Sequence, residues 1–193
     1  MKTLNRINLL WTLAWVIMLL TGCTTTWTTE AINIITLLGP SITSILAILA
    51  AFGVGLSPTV ATALTAWSGR AETGLAQVKT LIEQFNTAQA TAQPGILAEI
   101  QTALGVIDSD LATLLPTIKI TNASTQAKIM AVVQSFQSEL SALIALVPAL
   151  QGKVTDHDQF KKLIAAVGSS KQYRSDFNKK VDAFGPTAKQ YHI

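Results

Sequence analysis

Apolar residues recur at intervals of three and four along almost the whole chain after residue 30, and this spacing restricts the fold more than any other feature. Such spacing places apolar side chains on one face of an α-helix, whereas a half-buried strand needs strict alternation. No run of alternating β-branched residues suggests a sheet. The clearest helical run is a heptad seam formed by Leu97, Ile100, Leu104, Ile107, Leu111 and Leu114. The sequence therefore predicts an all-α protein.

Helix-breaking and helix-capping residues divide this pattern into long helices. Gly39-Pro40 interrupts the first segment, and Ser57-Pro58 supplies the N-cap and first residue of a second helix reaching about residue 90. Asn122 is expected to cap the fourth helix. Later prolines separate or end the helices, namely Pro94, Pro116 and Pro148. Because long helices joined by short connections pack side by side, we expect an antiparallel helical bundle over residues 31–151, with Trp67 in its core.

Residues 152–193 differ in charge, because Lys and Arg outnumber Asp there. The apolar spacing predicts a short basic C-terminal helical hairpin, with one helix near Val167 and a second that carries Tyr173 and Phe177. We expect the last seven residues to fray. The candidate contacts with an anionic lipid surface, a cell-wall polymer or an acidic partner are Lys161, Lys162, Lys179 and Lys180. The alternative is a solvated hairpin that completes the bundle.

Residues 1–22 have the pattern of an export signal. Lys2 and Arg6 give a positive start, and residues 7–20 are apolar except for Asn8 and Thr12. As a helix this run spans about 21 Å, which is shorter than the roughly 30 Å hydrocarbon core of a bilayer. It is therefore predicted to be a signal peptide rather than a permanent membrane span.

The signal ends in Leu20-Thr21-Gly22-Cys23, which resembles the lipobox of bacterial lipoprotein precursors. The resemblance covers only the first 23 residues. It implies a diacylglyceryl group on the Cys23 sulfur, cleavage between Gly22 and Cys23, and acylation of the new amino terminus. Residues 23–30 then form a lipidated, threonine-rich tether at the cell envelope. Thr24 follows the cysteine where an aspartate would favour the inner membrane, so the outer membrane is expected if the source has two.

Residues 31–69 contain no charged side chain, which is unusual for a water-exposed helix. The apolar part, residues 34–56, is long enough for a transmembrane candidate, although Gly39-Pro40 divides it. One alternative is a helix buried inside the bundle. The other is insertion into lipid, for which the candidate membrane contacts are Trp27, Ile34, Ile42, Ile45, Leu49 and Phe52.

The sequence gives little support for catalysis, for a metal site or for any cofactor other than the lipid. The single cysteine is used by the lipobox, and neither His157 nor His192 lies in a pattern of catalytic spacing. Asp108 and Asp110 are expected on a solvated helix surface. We therefore expect a non-enzymatic cell-envelope lipoprotein with a structural or binding role, which contacts membrane lipid and an envelope protein or anionic polymer but no nucleic acid. The alternative is a membrane-active protein that inserts residues 34–56 to form a pore or remodel lipid.

Overall fold

The computed structural model describes the backbone of residues 4–150, 165 and 167–193, and the side chains of these residues except 4–27 and 149. Every regular element within the described residues is helical, which confirms the all-α prediction. The α-helices are α1 (Leu4–Phe52), α2 (Pro58–Thr87), α3 (Gln93–Leu114), α4 (Ala123–Leu150) and α5 (Ser170–Asp182). Short 3₁₀ helices follow α3 at Leu115–Thr117 and α5 at Pro186–Tyr191.

Helices α1 to α4 form an antiparallel bundle. Each helix packs against the next one in the chain, and α4 closes the ring by packing against α1. The α1–α2 turn lies beside the α3–α4 connection, where the Thr121 amide donates to the Val54 carbonyl over 2.9 Å. Helix α5 contacts both α1 and α4, so α1 is covered by three neighbouring helices.

The predicted apolar stripes form the core of this bundle. In α3 the seam residues from Leu97 to Leu111 are buried, and so is Trp67 of α2. The Trp67 indole N–H donates to the Ile107 carbonyl over 3.3 Å, and its ring meets Phe136 of α4 edge to face with centroids 5.9 Å apart. One side chain therefore connects three helices, in the ring geometry that aromatic quadrupoles favour.

Helix α1 runs without interruption through Gly39-Pro40, so the predicted break there is wrong. Proline leaves the carbonyl four residues earlier without its helical donor, and here that residue is the solvent-exposed Thr36. On the opposite face Leu38 and Ile42 are fully buried, one on each side of the proline. Burial of both flanks against α2, α4 and α5 outweighs the local cost of proline, which is about 3 kcal/mol in a helix interior.

The predicted N-caps are confirmed by their side-chain hydrogen bonds. Ser57 accepts from the Val60 amide over 3.3 Å, and Asn122 accepts from the Thr125 amide over 3.0 Å. The helix ends differ by a few residues from the prediction, because α2 ends at Thr87 and α4 continues past Pro148 to Leu150. Proline near a helix end removes a single bond there, and packing decides whether the last turn persists.

The expectation that the last seven residues fray is wrong. Gly185 turns the chain with a φ of 99°, which favours glycine, and the following 3₁₀ helix packs against α1 and α5. Ala188 is buried, and the Ile193 amide donates to the Asn178 side chain over 2.9 Å. The second helix of the predicted hairpin corresponds to α5. The first lies mostly outside the described residues, apart from Ala165 and the buried Val167.

Candidate functional site

The lipobox lies within α1, whose backbone is described from Leu4 onward. The proposed cleavage site between Gly22 and Cys23 and the threonine-rich stretch that follows are therefore helical in the uncleaved chain. The side chains of Cys23 and Trp27 lie outside the described residues. A mature chain that starts at Cys23 would pass directly from its anchor into the bundle helix.

Most of the candidate membrane contacts lie in the core. Ile34, Ile42, Ile45 and Leu49 are buried between α1 and its neighbours, and Phe52 is half-buried. Phe52 stacks on Phe184 with ring centroids 4.9 Å apart. Of the two alternatives for residues 34–56, the structure shows the buried bundle helix, so contact between these side chains and lipid would require the bundle to open.

Two described helices are nevertheless long and apolar enough to cross a membrane, namely residues 28–52 of α1 and 123–148 of α4. About half of each apolar window is buried inside the bundle. Core helices of water-soluble bundles meet the same criteria of length and composition, so the finding supports neither location by itself.

Two of the four candidate cationic contacts belong to the described residues, and these two line one groove. Lys161 and Lys162 lie outside those residues. Lys179 is exposed and Lys180 half-buried, and both line a surface groove of about 690 Å³ between α5 and the start of α4. Lys128 of α4 lines the same groove, with its ammonium 5.9 Å from the centre of the Phe184 ring. This groove is therefore cationic, as the basic tail predicts, although Asp176 also lines it.

A polar junction joins α1, α4 and α5 inside otherwise apolar surroundings. The Tyr173 hydroxyl donates to Ser41 Oγ over 2.7 Å, and Ser41 in turn donates to the Leu37 carbonyl over 2.8 Å. Burial raises the pKa of Tyr173 and the nearby Glu139 carboxylate raises it further, while the hydrogen bond with Ser41 acts in the opposite direction. The phenol is therefore neutral at physiological pH and holds α5 against α1.

Glu139 of α4 lies next to this junction, and its Oε1 atom is buried without a hydrogen-bond partner. Burial, and then the negative charge of Asp176, raise the pKa of this carboxyl from 4.5 to about 7. It lines a cavity of about 200 Å³ together with Asp176, Lys180 and Gln172. Glu139 can therefore take up a proton near neutral pH. The sequence pattern does not single out Glu139, although it lies three residues after Phe136 beside the buried stripe of α4.

A second groove separates α2 from α3 on the surface. It has a volume of about 770 Å³, its walls include small residues such as Gly69 and Ala103, and Val106 at its edge is 54% exposed. Arg70 forms an ion pair with Asp110 there over 2.8 Å. The neighbouring Asp108 is half-buried and its Oδ1 atom has no hydrogen-bond partner, while Asp110 is half-buried in its ion pair with Arg70. Neither aspartate therefore lies on the fully solvated helix surface that the sequence predicts.

The described residues bring together no group of three His, Cys, Asp or Glu side chains that could hold a metal ion. His192 contacts Asp182 over 2.9 Å at the surface, and His157 lies outside the described residues. No protein-family model, curated protein or solved structure matches the chain.

Proposed function

We propose that the chain is a lipoprotein of the bacterial cell envelope, anchored through lipid on Cys23. The observation that supports this proposal is the order of the first 23 residues: a positive start, a short apolar run, Leu20-Thr21-Gly22 and then the only cysteine. Two or three acyl chains hold a protein on a membrane far more firmly than one, because each buried methylene contributes about 0.8 kcal/mol. In a source with two membranes, the outer membrane is the proposed location.

The mature part has a structural or binding role rather than a catalytic one in this proposal. Within the described residues, the buried hydrogen bond from Tyr173 to Ser41 joins α5 to α1, which is a structural use of these polar groups. The cationic groove beside Lys128 and Lys179 offers a surface for an anionic polymer or an acidic envelope protein.

Mass spectrometry of the amino-terminal peptide tests the anchor. We expect Cys23 to be the first residue and to carry the mass of a diacylglyceryl group with an additional acyl chain. Cys23→Ser should leave an unprocessed precursor that incorporates no labelled palmitate, whereas Thr24→Ser should be processed like the wild type. A free Cys23 thiol on a released protein would contradict the proposal.

A second candidate function is membrane insertion of residues 34–56, and the lack of any charged side chain over residues 31–69 favours it. The lipid-anchored protein would then open, insert α1 and release dye trapped in vesicles. Insertion of an uncharged segment is insensitive to salt, whereas binding through lysines weakens at high ionic strength. Dye release that persists in high salt would support insertion, and intact vesicles would support the bundle with a binding role.

A further inference from the structure

The bundle has one end at which the lipid anchor enters. Because successive helices are antiparallel and the Thr121–Val54 hydrogen bond marks one end, the opposite end holds the early part of α1 and the α2–α3 connection. We call this opposite end the anchor end. Helix α5 also starts there, since the Ser170 amide donates to the Glu30 carboxylate of α1 over 3.2 Å. Glu30 follows Cys23 by seven residues of helix, a distance of about 10 Å.

A polar cleft opens between α1 and the first turns of α5 at this end. Its volume is about 350 Å³, and it is lined by Asn33, Thr36 and Leu37 of α1 and by Ser170, Lys171 and Arg174 of α5. Lys171 and Arg174 are three residues apart, so they lie on the same face of α5. Both are exposed, and neither forms an ion pair within the described part of the chain.

The chemistry of this cleft suits a phosphate group. Two cations that have no ion-pair partner among the described residues lie beside the exposed polar side chains of Asn33 and Thr36, and the Asn33 amide can donate hydrogen bonds. The nearest acidic group on α1, Glu30, already accepts the hydrogen bond from the Ser170 amide. On α1 the cleft lies ten to fourteen residues beyond Cys23, about 15–21 Å along the helix, so a bundle that tilts toward the bilayer brings both cations within the Debye length of about 8 Å.

We propose that this cleft binds the headgroup phosphate of an anionic lipid in the membrane that holds Cys23, and so fixes the tilt of the bundle on the bilayer. This inference rests on the proposed lipid anchor and adds residues that the sequence did not single out. Lys179 and Lys180 lie further along α5, beside the first turns of α4, and take no part in the contact.

Acylation of lysines by a water-soluble reagent, read out by mass spectrometry, tests the proposal on the lipidated protein. The protein is reconstituted in phosphatidylcholine vesicles with and without phosphatidylglycerol. Phosphatidylglycerol should slow the acylation of Lys171 about fivefold, because the attraction of one lysine to an anionic lipid surface changes an equilibrium by about this factor. Acylation of Lys119, in the connection at the far end, should not change. High salt should restore the reactivity of Lys171.

Charge reversal provides the matched variants. Arg174→Glu should abolish the protection of Lys171. Lys189→Glu changes the net charge of the protein by the same amount at the end of the bundle opposite the anchor, and it should leave the protection of Lys171 unchanged. Equal acylation of Lys171 in both vesicle types would overturn the proposal. Protection by inorganic phosphate in pure phosphatidylcholine vesicles, equal to that by phosphatidylglycerol, would also overturn it and assign the cleft to soluble anions.

The same sample separates this inference from the proposed anchor, because the mass of the Cys23 peptide is measured with it. A lipidated Cys23 together with an unprotected Lys171 overturns the lipid-binding cleft alone. An unmodified Cys23 overturns the lipoprotein assignment, and the inference with it.

Discussion

Glu139 should make the stability of the bundle fall as the pH rises from 4.5 toward 7. Its Oε1 atom is buried without a partner, and burial together with Asp176 raises its pKa from 4.5 to about 7. Between these two values the folded protein keeps a proton that the unfolded chain has released. The contribution of the Glu139 carboxyl to stability is therefore complete below pH 4.5, decreases between pH 4.5 and about 7, and is lost above about pH 7.

The magnitude follows from the difference between the two pKa values. Each unit of difference between the folded and unfolded pKa corresponds to about 1.4 kcal/mol, so ionisation of Glu139 would lower the free energy of unfolding by roughly 3 kcal/mol. Glu139 is only half-buried, and screening by water lowers the expected loss to about 1–2 kcal/mol. Glu139→Gln cannot ionise, so it should be more stable than the wild type by this amount at pH 8 and close to it at pH 4. Asp176→Asn removes the neighbouring negative charge, which raises the pKa of Glu139 less than burial does. It should therefore increase the stability at pH 8 by less than Glu139→Gln does.

Urea unfolding followed by circular dichroism at a series of pH values measures this difference. Other carboxylates also titrate in the range, so the informative quantity is the stability of Glu139→Gln minus that of the wild type at each pH. Glu99→Gln, which removes a carboxylate at an exposed site on α3, is the matched control. A difference for Glu139→Gln that stays constant from pH 4 to pH 8 would refute the reasoning.

Three further variants test the packing by thermal or urea unfolding. Leu104→Asp places a charge in the buried seam and should destabilise the bundle by about 3–5 kcal/mol, whereas Val106→Asp, at an exposed site on the same helix, should change little. Tyr173→Phe removes the buried hydroxyl bond between α5 and α1 and should cost about 1 kcal/mol; an unchanged stability would argue against that bond. Pro40→Ala should stabilise a continuous α1 by about 2 kcal/mol, since the helix gains a residue that suits its interior while the unfolded chain gains entropy. Pro58→Ala, at the start of α2, should hardly change the stability, because proline suits the first position of a helix. If Pro40→Ala and Pro58→Ala changed the stability equally, a helix that continues through residue 40 would be contradicted.

Local patterns in the sequence predicted most of the helices correctly. The seam from Leu97 to Leu111 is buried because residues three and four apart share a helix face, whatever the neighbouring helix is. The caps at Ser57 and Asn122 bond amides three residues away, so they too depend only on nearby sequence. The lipobox is likewise a contiguous pattern, and the anchor on Cys23 stays a prediction from sequence alone.

Contacts between residues that are distant in the sequence determine the features that local patterns do not predict. Proline disfavours a helix interior, so the local sequence predicts a break at residue 40, but burial of Leu38 and Ile42 by other helices keeps α1 continuous. In the same way, the partner of Ser41 is Tyr173, far away in the sequence, and the pKa of Glu139 depends on Asp176 of another helix. The sequence by itself therefore determined which residues form helices and which faces are apolar, because those depend on spacing within one segment. Only the tertiary structure decided which faces meet, since the free energy of burial and of charge proximity arises between segments and has no local signature.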